Sequence, residues 1–507
     1  MTVSIETPVF KSGRLQRCID SVLGQSSPDW TFSLLWDGGD AGSRRILEDL
    51  ERQQHPNVTV HFAENRGIGR ARRFLTERSS GDFILPLDDD DALPFYAVER
   101  FLHIAQQKPW AAVIRARRKM IDEEGKVLDA PAWFPFEPRH YQRGMVTDLT
   151  NHSQPCLISR WAYNRTSGWE GFEDFGFAGE DCDLYLKLEE VGTVELLDET
   201  LYYYRVHPNR QSLVLTNQAA FEMWRRLADR TIARIGLPLK RTSEMPPFSY
   251  EPLSRPAPSL DMVDFVIVAA EGHDRAAQSL RRSGIADGAV RVVDRPSAAG
   301  LNEACRQSSR PFLCILDAAI EVDGTGGLET MLRLMHEGNA DLAAPKLLGE
   351  DGAILWARPG FDGEHRPTIR GSGERDDGQY DITTSAAWLS KRLMLARREV
   401  VSAVGGFDEG FQDVRTAMVD FCLRARQREF ACAYIGGVGF TCAGSALDQD
   451  DAAAADRLRR KWATFPHLFA DAWPGFAAPD SHDVSRPASS NRLGEPGEIM
   501  IPASRRG

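Results

Sequence analysis

Apolar and polar positions alternate at Val3, Ile5 and Thr7, and Pro8 follows, which predicts a first strand. Leu15, Cys18, Ile19, Val22 and Leu23 then recur at the spacing of one helix face. Residues 30–35 form a second apolar run, closed by the turn-rich Trp36-Asp37-Gly38-Gly39-Asp40. Residues 46–53 predict a short helix, and Val58, Val60 and Phe62 a third strand. Asn65-Arg66-Gly67-Ile68-Gly69 breaks the chain before a helix that starts near Arg70. Residues 83–87 are apolar without alternation, as in a strand buried on both faces, and run straight into Asp88-Asp89-Asp90-Asp91. Strand and helix alternate throughout, so the pattern predicts a mostly parallel sheet covered by helices, an α/β fold.

Further on, residues 98–106 predict a helix and residues 111–128 a β-hairpin turning near Glu124-Gly125. Trp133, Phe134, Phe136, His140 and Tyr141 follow, a set that suits sugar stacking and loop packing equally. Leu184, Leu188 and Val191 predict a helix opened by Asp181 and Asp183, where carboxylates meet unpaired N–H groups and the helix dipole. Residues 202–208 read as a strand ending at His207, and residues 218–235 as a helix. Residues 240–258 are rich in Pro and Ser and read as a linker. Apolar runs at 265–268 and 312–317, with a helix opening at 301–304, then repeat the order of the first half. The expected organisation is a domain over 1–239, a linker over 240–261, a second domain over 262–478 and a disordered polar tail over 479–507.

A chain of 507 residues exceeds what one core supports, in keeping with two domains. Its 42% hydrophobic and 26% charged residues are ordinary for a globular protein. A net charge of -12 argues against a general nucleic-acid binder. No apolar stretch reaches the ~18 residues that span a bilayer, and no signal-peptide pattern opens the chain, so a cytoplasmic location is expected. The eight cysteines include no CxxC pair and read as reduced thiols rather than a zinc site or disulfide framework.

The four aspartates sit where open α/β sheets bind ligands, at the C-terminal end of a strand. Adjacent carboxylates repel one another, and Mg²⁺ or Mn²⁺ shared with substrate phosphates would neutralise them. The plainer alternative is a solvated acidic turn that caps the next helix.

The motifs Thr7-Pro8-Val9-Phe10, Cys18-Ile19-Asp20-Ser21-Val22-Leu23-Gly24-Gln25, Asp37-Gly38-Gly39, Asn65-x-Gly67-x-x-x-Ala71-Arg72 and Leu87-Asp88-Asp89-Asp90-Asp91 come in one order. In that order, residues 1 to about 215 resemble a family 2 glycosyltransferase with the nucleotide-sugar-binding, Rossmann-like GT-A fold. The resemblance implies a nucleoside-diphosphate sugar donor, a UDP-sugar by the family's habit, a hydroxyl acceptor on a glycan or other molecule, and Mn²⁺ or Mg²⁺. It places Pro8, Phe10, Asp37, Arg72, Asp88 and Asp89 at the nucleotide sugar, with Asp37 accepting from the base. The family usually has a second carboxylate where this chain has Trp36. Asp88 and Asp90 match the Asp-x-Asp motif and, with His207, would face the metal; Asp91 would stand behind them. Arg66, Arg70, Arg72 and Arg73 also fit a solvated basic helix start, and His207 also fits a structural role. Glu180-Asp181 match the family's Glu-Asp pair, so Asp181 is the expected general base. Glu180 is then its acceptor-orienting partner or the alternative base.

Residues 262 to about 470 resemble a second GT-A domain, through Val404-Gly405-Gly406-Phe407-Asp408-Glu409 and Val419-Asp420-Phe421-Cys422-Leu423-Arg424. Its chemistry is not repeated: Ala319 replaces the second metal-ligating Asp, Ala417-Met418 replace the Glu-Asp pair, and Phe440-Thr441-Cys442 stand where the histidine is expected. This half is therefore expected not to transfer sugar, with Asp317 left as a capping residue. It would bind acceptor, shape a dimer or brace the first half. Homo-oligomerisation and peripheral contact with a membrane-linked acceptor stay compatible with the sequence. A sugar-nucleotide nucleotidyltransferase is the rival reading, but Pro8-Val9-Phe10-Lys11-Ser12-Gly13 is a poor basic Gly-rich loop. A non-catalytic glycan- or nucleotide-binding protein would not need Glu180-Asp181. A two-site polymerase would need both halves competent.

Overall fold

The computed structural model describes every residue except 12, 129–153, 171–178, 208–216, 236–238, 245–247, 253–256, 269–274, 295, 429, 444–451, 464–465 and 470–507. The aromatic stretch at 133–141 and the tail expected from 479 onward thus lie outside the described residues. The chain divides into two compact units, formed in the main by residues up to Glu251 and from Pro252 onward.

In the first unit the strands are β1 (Val3–Val9), β2 (Trp30–Asp37), β3 (Val58–Ala63), β4 (Phe83–Pro86), β5 (Ala111–Ile121), β6 (Cys156–Ser159) and β7 (Thr193–Arg205). They form one sheet in the order β3-β2-β1-β4-β6-β5-β7. The first four are parallel, as their order predicts, and β5 and β7 are also parallel. β6 alone runs antiparallel to its neighbours β4 and β5. The helices are α1 (Leu15–Leu23), α2 (Ala41–Arg52), α3 (Ile68–Thr76), α4 (Ala97–Gln107), α5 (Arg160–Tyr163), α6 (Glu180–Val191) and α7 (Asn217–Ile235). α1 buries Leu15, Cys18, Ile19 and Val22 against the core that also takes Ile5, Phe32, Leu85 and Phe101.

Four elements differ from expectation, the first being the strand read over 202–208, which is β7 and runs from Thr193 to Arg205, two residues short of His207. α2 starts five residues early because Asp40 caps it, its carboxylate accepting from the N–H groups of Gly42 (2.8 Å) and Ser43 (2.9 Å). The expected hairpin over 111–128 is mostly β5, which turns back only briefly, with Ile121 opposite Val127. The Pro/Ser-rich linker is partly folded: β8 (Leu239–Arg241) pairs with β9 (Tyr250–Pro252), Phe248 is buried, and Arg241 donates to Asp229 of α7 at 3.0 Å.

The second unit contains β10 (Val263–Val268), β11 (Val290–Val293), β12 (Phe312–Asp317), β13 (Ile320–Glu321), β14 (Leu342–Leu348), β15 (Ile354–Trp356), β16 (Pro359–Phe361), β17 (Pro367–Ile369), β18 (Thr383–Ser385), β19 (Leu393–Arg397) and β20 (Cys432–Cys442). Its helices are α8 (Arg275–Arg282), α9 (Ala298–Gln307), α10 (Gly326–Glu337), α11 (Arg398–Ala403), α12 (Val414–Gln427) and α13 (Ala452–Trp462). The main sheet path, β11-β10-β12-β19-β14-β20-β13, reproduces β2-β1-β4-β6-β5-β7 and adds β13 at the end. The strand directions agree too, with β19 antiparallel to β12 and β14, and β14 parallel to β20.

The two halves match residue by residue. Ile84 faces Ile158 as Leu313 faces Ala396. Arg160 donates from N to Asp82 O and from Nε to Gly81 O, as Arg398 does to Pro311 O and Arg310 O. Asp183 pairs with Lys187 four residues on, as Asp420 pairs with Arg424. By this register Ala417 and Met418 lie at the positions of Glu180 and Asp181, buried inside α12, which begins a turn earlier than α6. One sequence alignment shifts. Ala92 faces Tyr203 as Glu321 faces Thr441, so the counterpart of His207 is position 445 rather than 440–442, and it lies outside the described residues.

Asp420 is fully buried and accepts from Arg424 Nε (2.8 Å), Lys461 Nζ (2.8 Å) and Trp462 Nε1 (2.9 Å), tying α12 to α13. Removing it leaves buried Arg424 without its carboxylate, while Lys461 keeps Asp408 at 2.8 Å. Asp420→Ala is expected to destabilise the second unit by about 3–5 kcal/mol. Hydrogen exchange across α12 and α13 reads that loss, and exchange in the first sheet should stay unchanged.

Candidate active site

Pro8, Phe10, Asp37, Asp88 and Asp89 come from the C-terminal edge of β1, β2 and β4 or from the loops that follow them, and Arg72 comes from α3, which follows β3. At the end of β2, Asp37 is 4% exposed and accepts from the N–H of Arg66 at 3.0 Å. Burial raises its pKa, and the N–H groups of Arg66 and Gly67 work against that rise. The loop behind it lies close to its neighbours. A Cβ at Gly39 would stand 1.4 Å from Phe10 O, and Gly38, at φ 71°, would meet Asn65 N at 2.6 Å. Only glycine fits that approach. Trp36, in place of a second carboxylate, donates from Nε1 to Asp40 O at 3.3 Å and stacks under Arg44.

The four aspartates have four different partners. Asp88 Oδ1 accepts from Arg72 Nη2 at 2.7 Å. Asp89 Oδ2 accepts from the N–H of Phe10 at 3.1 Å, which clasps β1 to the acidic turn. Asp90 Oδ2 stands 2.7 Å from His207 Nε2. Asp91 is 1% exposed and takes the N–H of Arg205 at 2.7 Å. Burial and the neighbouring carboxylates push Asp89 up to about 8 and raise Asp90 and Asp91. His207 partly offsets the rise at Asp90.

Arg205 was not singled out in the sequence. It is 2% exposed and donates to Asp90 O (2.7 Å), Asp122 O (2.8 Å) and Glu123 O (3.0 Å), fastening the acidic turn to the end of β5. No local pattern marks it, because its partners are carbonyls far away in the chain.

Arg72 is 3% exposed and also donates from Nε to Glu180 Oε1 at 3.2 Å. Burial opposes its charge, but Asp88 and Glu180 outweigh burial and push its pKa up. Its guanidinium lies over the buried ring of Trp169, whose Nε1 donates to Thr76 Oγ1 at 3.0 Å. The solvated basic helix start is therefore overturned for Arg72: α3 turns this side chain inward between two carboxylates. Trp169, after Gly168, supplies the surface beneath it.

Glu180 and Asp181 open α6 but differ. Glu180 is 2% exposed, with Oε1 on Arg72 and Oε2 accepting from the N–H of Gly179 at 2.9 Å. Asp181 is half-buried and accepts from the N–H of Cys182 at 2.7 Å. Burial and the Glu180 charge push Asp181 up to about 7. The structure thus joins Arg72, Asp88 and Glu180 in one cluster, pairs Asp90 with His207 and Asp89 with Phe10, and keeps Asp37 under the Arg66 loop. Pro8 lies in β1 beside Leu35. Among the described residues no group of three or more His, Cys, Asp or Glu side chains converges as a metal cage. Asp90 and His207 supply one oxygen and one nitrogen donor, a set that suits Mg²⁺ or Mn²⁺ only with further oxygens from a bound ligand.

The family model for glycosyl transferase family 2 matches residues 4–167, the span from β1 through α5. Residues 4–167 thus form a family 2 glycosyltransferase domain. The family 2 domain is similar to the chondroitin synthase of Escherichia coli, with 29% identity over 42% of this chain and 30% of that protein. The hyaluronan synthase of Pasteurella multocida is 26% identical over 42% of this chain and 21% of its own length. The chain thus spans less than a third of either synthase. Uncharacterized protein y4gI of Sinorhizobium fredii is 24% identical across 84% of this chain and 51% of its own length. A solved structure of S. aureus TarS, residues 1–349, covers 46% of this chain and 65% of that one at 16% identity, with a TM-score of 0.36.

Replacing Arg72 leaves two carboxylates of the family 2 domain without their shared cation. Arg72→Met is expected to lower stability by about 3–5 kcal/mol. Arg72→Lys recovers part of that, because an ammonium lacks the planar fork. Urea unfolding of the three proteins at equal ionic strength measures both effects.

Proposed function

We propose that the first unit is an inverting, metal-dependent glycosyltransferase. It takes a nucleoside-diphosphate sugar, a UDP-sugar in preference, and transfers the sugar to a hydroxyl of a glycan or other acceptor. Family membership supports the reaction class, and two relatives are by name synthases of chondroitin and hyaluronan, which supports a role in polysaccharide or glycoconjugate assembly.

The observation that carries the reading is the split between Glu180 and Asp181. Both oxygens of Glu180 are engaged, so it positions Arg72 and the start of α6. Asp181 is half-buried with a pKa pushed up to about 7, close to the value that serves a general base at neutral pH. It takes the acceptor proton as the oxygen attacks the anomeric carbon in line. Asp37 accepts from the base of the nucleotide, and Phe10 and Pro8 border it. Asp90 and His207, backed by Asp88, would hold a divalent cation whose charge stabilises the departing diphosphate. Arg205 and Asp91 keep those ligands in register, and positioning of this kind supplies a large share of the rate. The second unit is non-catalytic in this reading, since alanine and methionine fill the positions of Asp90, Glu180 and Asp181.

Nucleoside-diphosphate sugars screened with Mn²⁺ test the proposal. Asp90→Ala is expected to abolish metal-dependent donor binding. Asp181→Asn should bind donor normally and lose about a hundred- to ten-thousand-fold in kcat. Asp317→Ala should change little; a loss of turnover there would shift the active site to the second unit.

A pH profile gives a separate check. The base must be ionised, and its folded pKa is pushed up to about 7, so kcat should rise with pH, reach half its maximum near that value and level off beyond it. A profile already flat from pH 5 upward would remove Asp181 from the role.

A further inference from the structure

We propose that Gln154 is a specificity-determining contact to the transferred sugar, an inference that rests on the glycosyltransferase reading above. Gln154 is 7% exposed, yet neither its Nε2 nor its Oε1 has a hydrogen-bond partner among the described residues. Buried amides are almost always paired, and one with both ends open asks for a ligand group.

Its place in the sheet says which ligand. Phe83 faces Ser159 and Ile84 faces Ile158, so the chain enters β6 at the end where β4 delivers Asp88. The second unit refines that register. Arg392 stands four residues before Ala396, as Gln154 stands four before Ile158. The carbonyl of Arg392 accepts the N–H of Asp317, the counterpart of Asp88, at 2.7 Å. In the first unit the ladder stops at Ile84 opposite Ile158 and the N–H of Asp88 goes to Tyr202 Oη at 3.3 Å, so Gln154 lies just beyond the paired residues, at the sheet end that carries Asp88. Two residues on, Cys156 packs with Leu184 and Tyr185 of α6, the helix that opens with Glu180 and Asp181. Gln154 thus lies two residues before the strand that runs between the diphosphate end of the site and the base end. The transferred sugar must occupy that interval, because its anomeric carbon is attacked from one side and left from the other.

Arg72 adds a second orphan. Its Nη1 is buried and has no hydrogen-bond partner among the described residues, on the guanidinium that spans Asp88 and Glu180. The amide offers one donor group and one acceptor, and Nη1 a further donor. A sugar hydroxyl both donates and accepts, so one hydroxyl or a vicinal pair matches the set. A site built this way rejects a sugar that lacks the hydroxyl, since the amide then stays unpaired.

UDP- and GDP-hexoses and their 2-acetamido forms, tested with Mn²⁺, identify the donor of the native chain, and monodeoxy analogues of that sugar locate the hydroxyl. One analogue is expected to lose about a hundredfold in kcat/KM with the native chain. With Gln154→Ala the full donor should fall by a similar factor and that analogue no further, while binding of the free nucleoside diphosphate and the thermal midpoint stay unchanged. The inference is overturned if Gln154→Ala keeps the native discrimination. It is also overturned if nucleotide binding and stability fall together with turnover, the mark of a packing role. If the native chain turns over no donor at all, the glycosyltransferase reading fails and this inference with it. Native turnover with unaltered discrimination in Gln154→Ala removes this inference alone.

Discussion

The first unit depends on one buried cation. Arg72 reaches from α3 to Asp88 after β4 and to Glu180 at the start of α6, so three elements distant in sequence meet at one guanidinium. A lone buried charge of either sign would be costly, and the fork geometry of arginine lets one cation serve both carboxylates. The Trp169 ring lies under the guanidinium, and Trp169 is joined through Thr76 to Glu6 of β1. Lys187, paired with Asp183, donates to Gly168 O and fastens the turn that presents the tryptophan. The start of α6 is thereby fixed relative to the acidic turn by a continuous polar network.

Four consecutive carboxylates coexist because they do not share one task. Asp89 and Asp91 accept from the backbone N–H groups of Phe10 and Arg205, which sets the path of the turn. Asp88 is matched to Arg72, and Asp90 faces His207. The repulsion that would disfavour the run is thus divided among local partners.

The second unit separates what the fold needs from what the chemistry needs. Strand order, strand direction, the Arg398 contacts at the end of β19 and the buried Asp420–Arg424 pair are all retained. Ala319, Ala417 and Met418 are not substitutes in kind for carboxylates. Ala417 and Met418 instead extend the apolar face of α12, which buries them fully. Freed of the need to present carboxylates, this helix begins a turn earlier, capped by Asp413.

Much of this was legible in the sequence, for physical reasons. The alternation at 3–7, the helix-spaced apolar set at 15–23 and the uninterrupted run at 83–87 report burial directly, so strand and helix identity followed from them. The repeat was legible because apolar spacing is kept where chemistry is lost. Asp88, Asp90, Arg72, Glu180 and Asp181 stood out through motif order. Local sequence could not say that Arg72 points inward, that Glu180 is held by it while Asp181 stays half-buried, or that Arg205 binds distant carbonyls. The orphaned amide of Gln154 was equally hidden. Those outcomes depend on which side chains meet across 16 to 115 positions of chain. Only the packed sheet, which brings β1, β4, β6 and α6 to one edge, decided them.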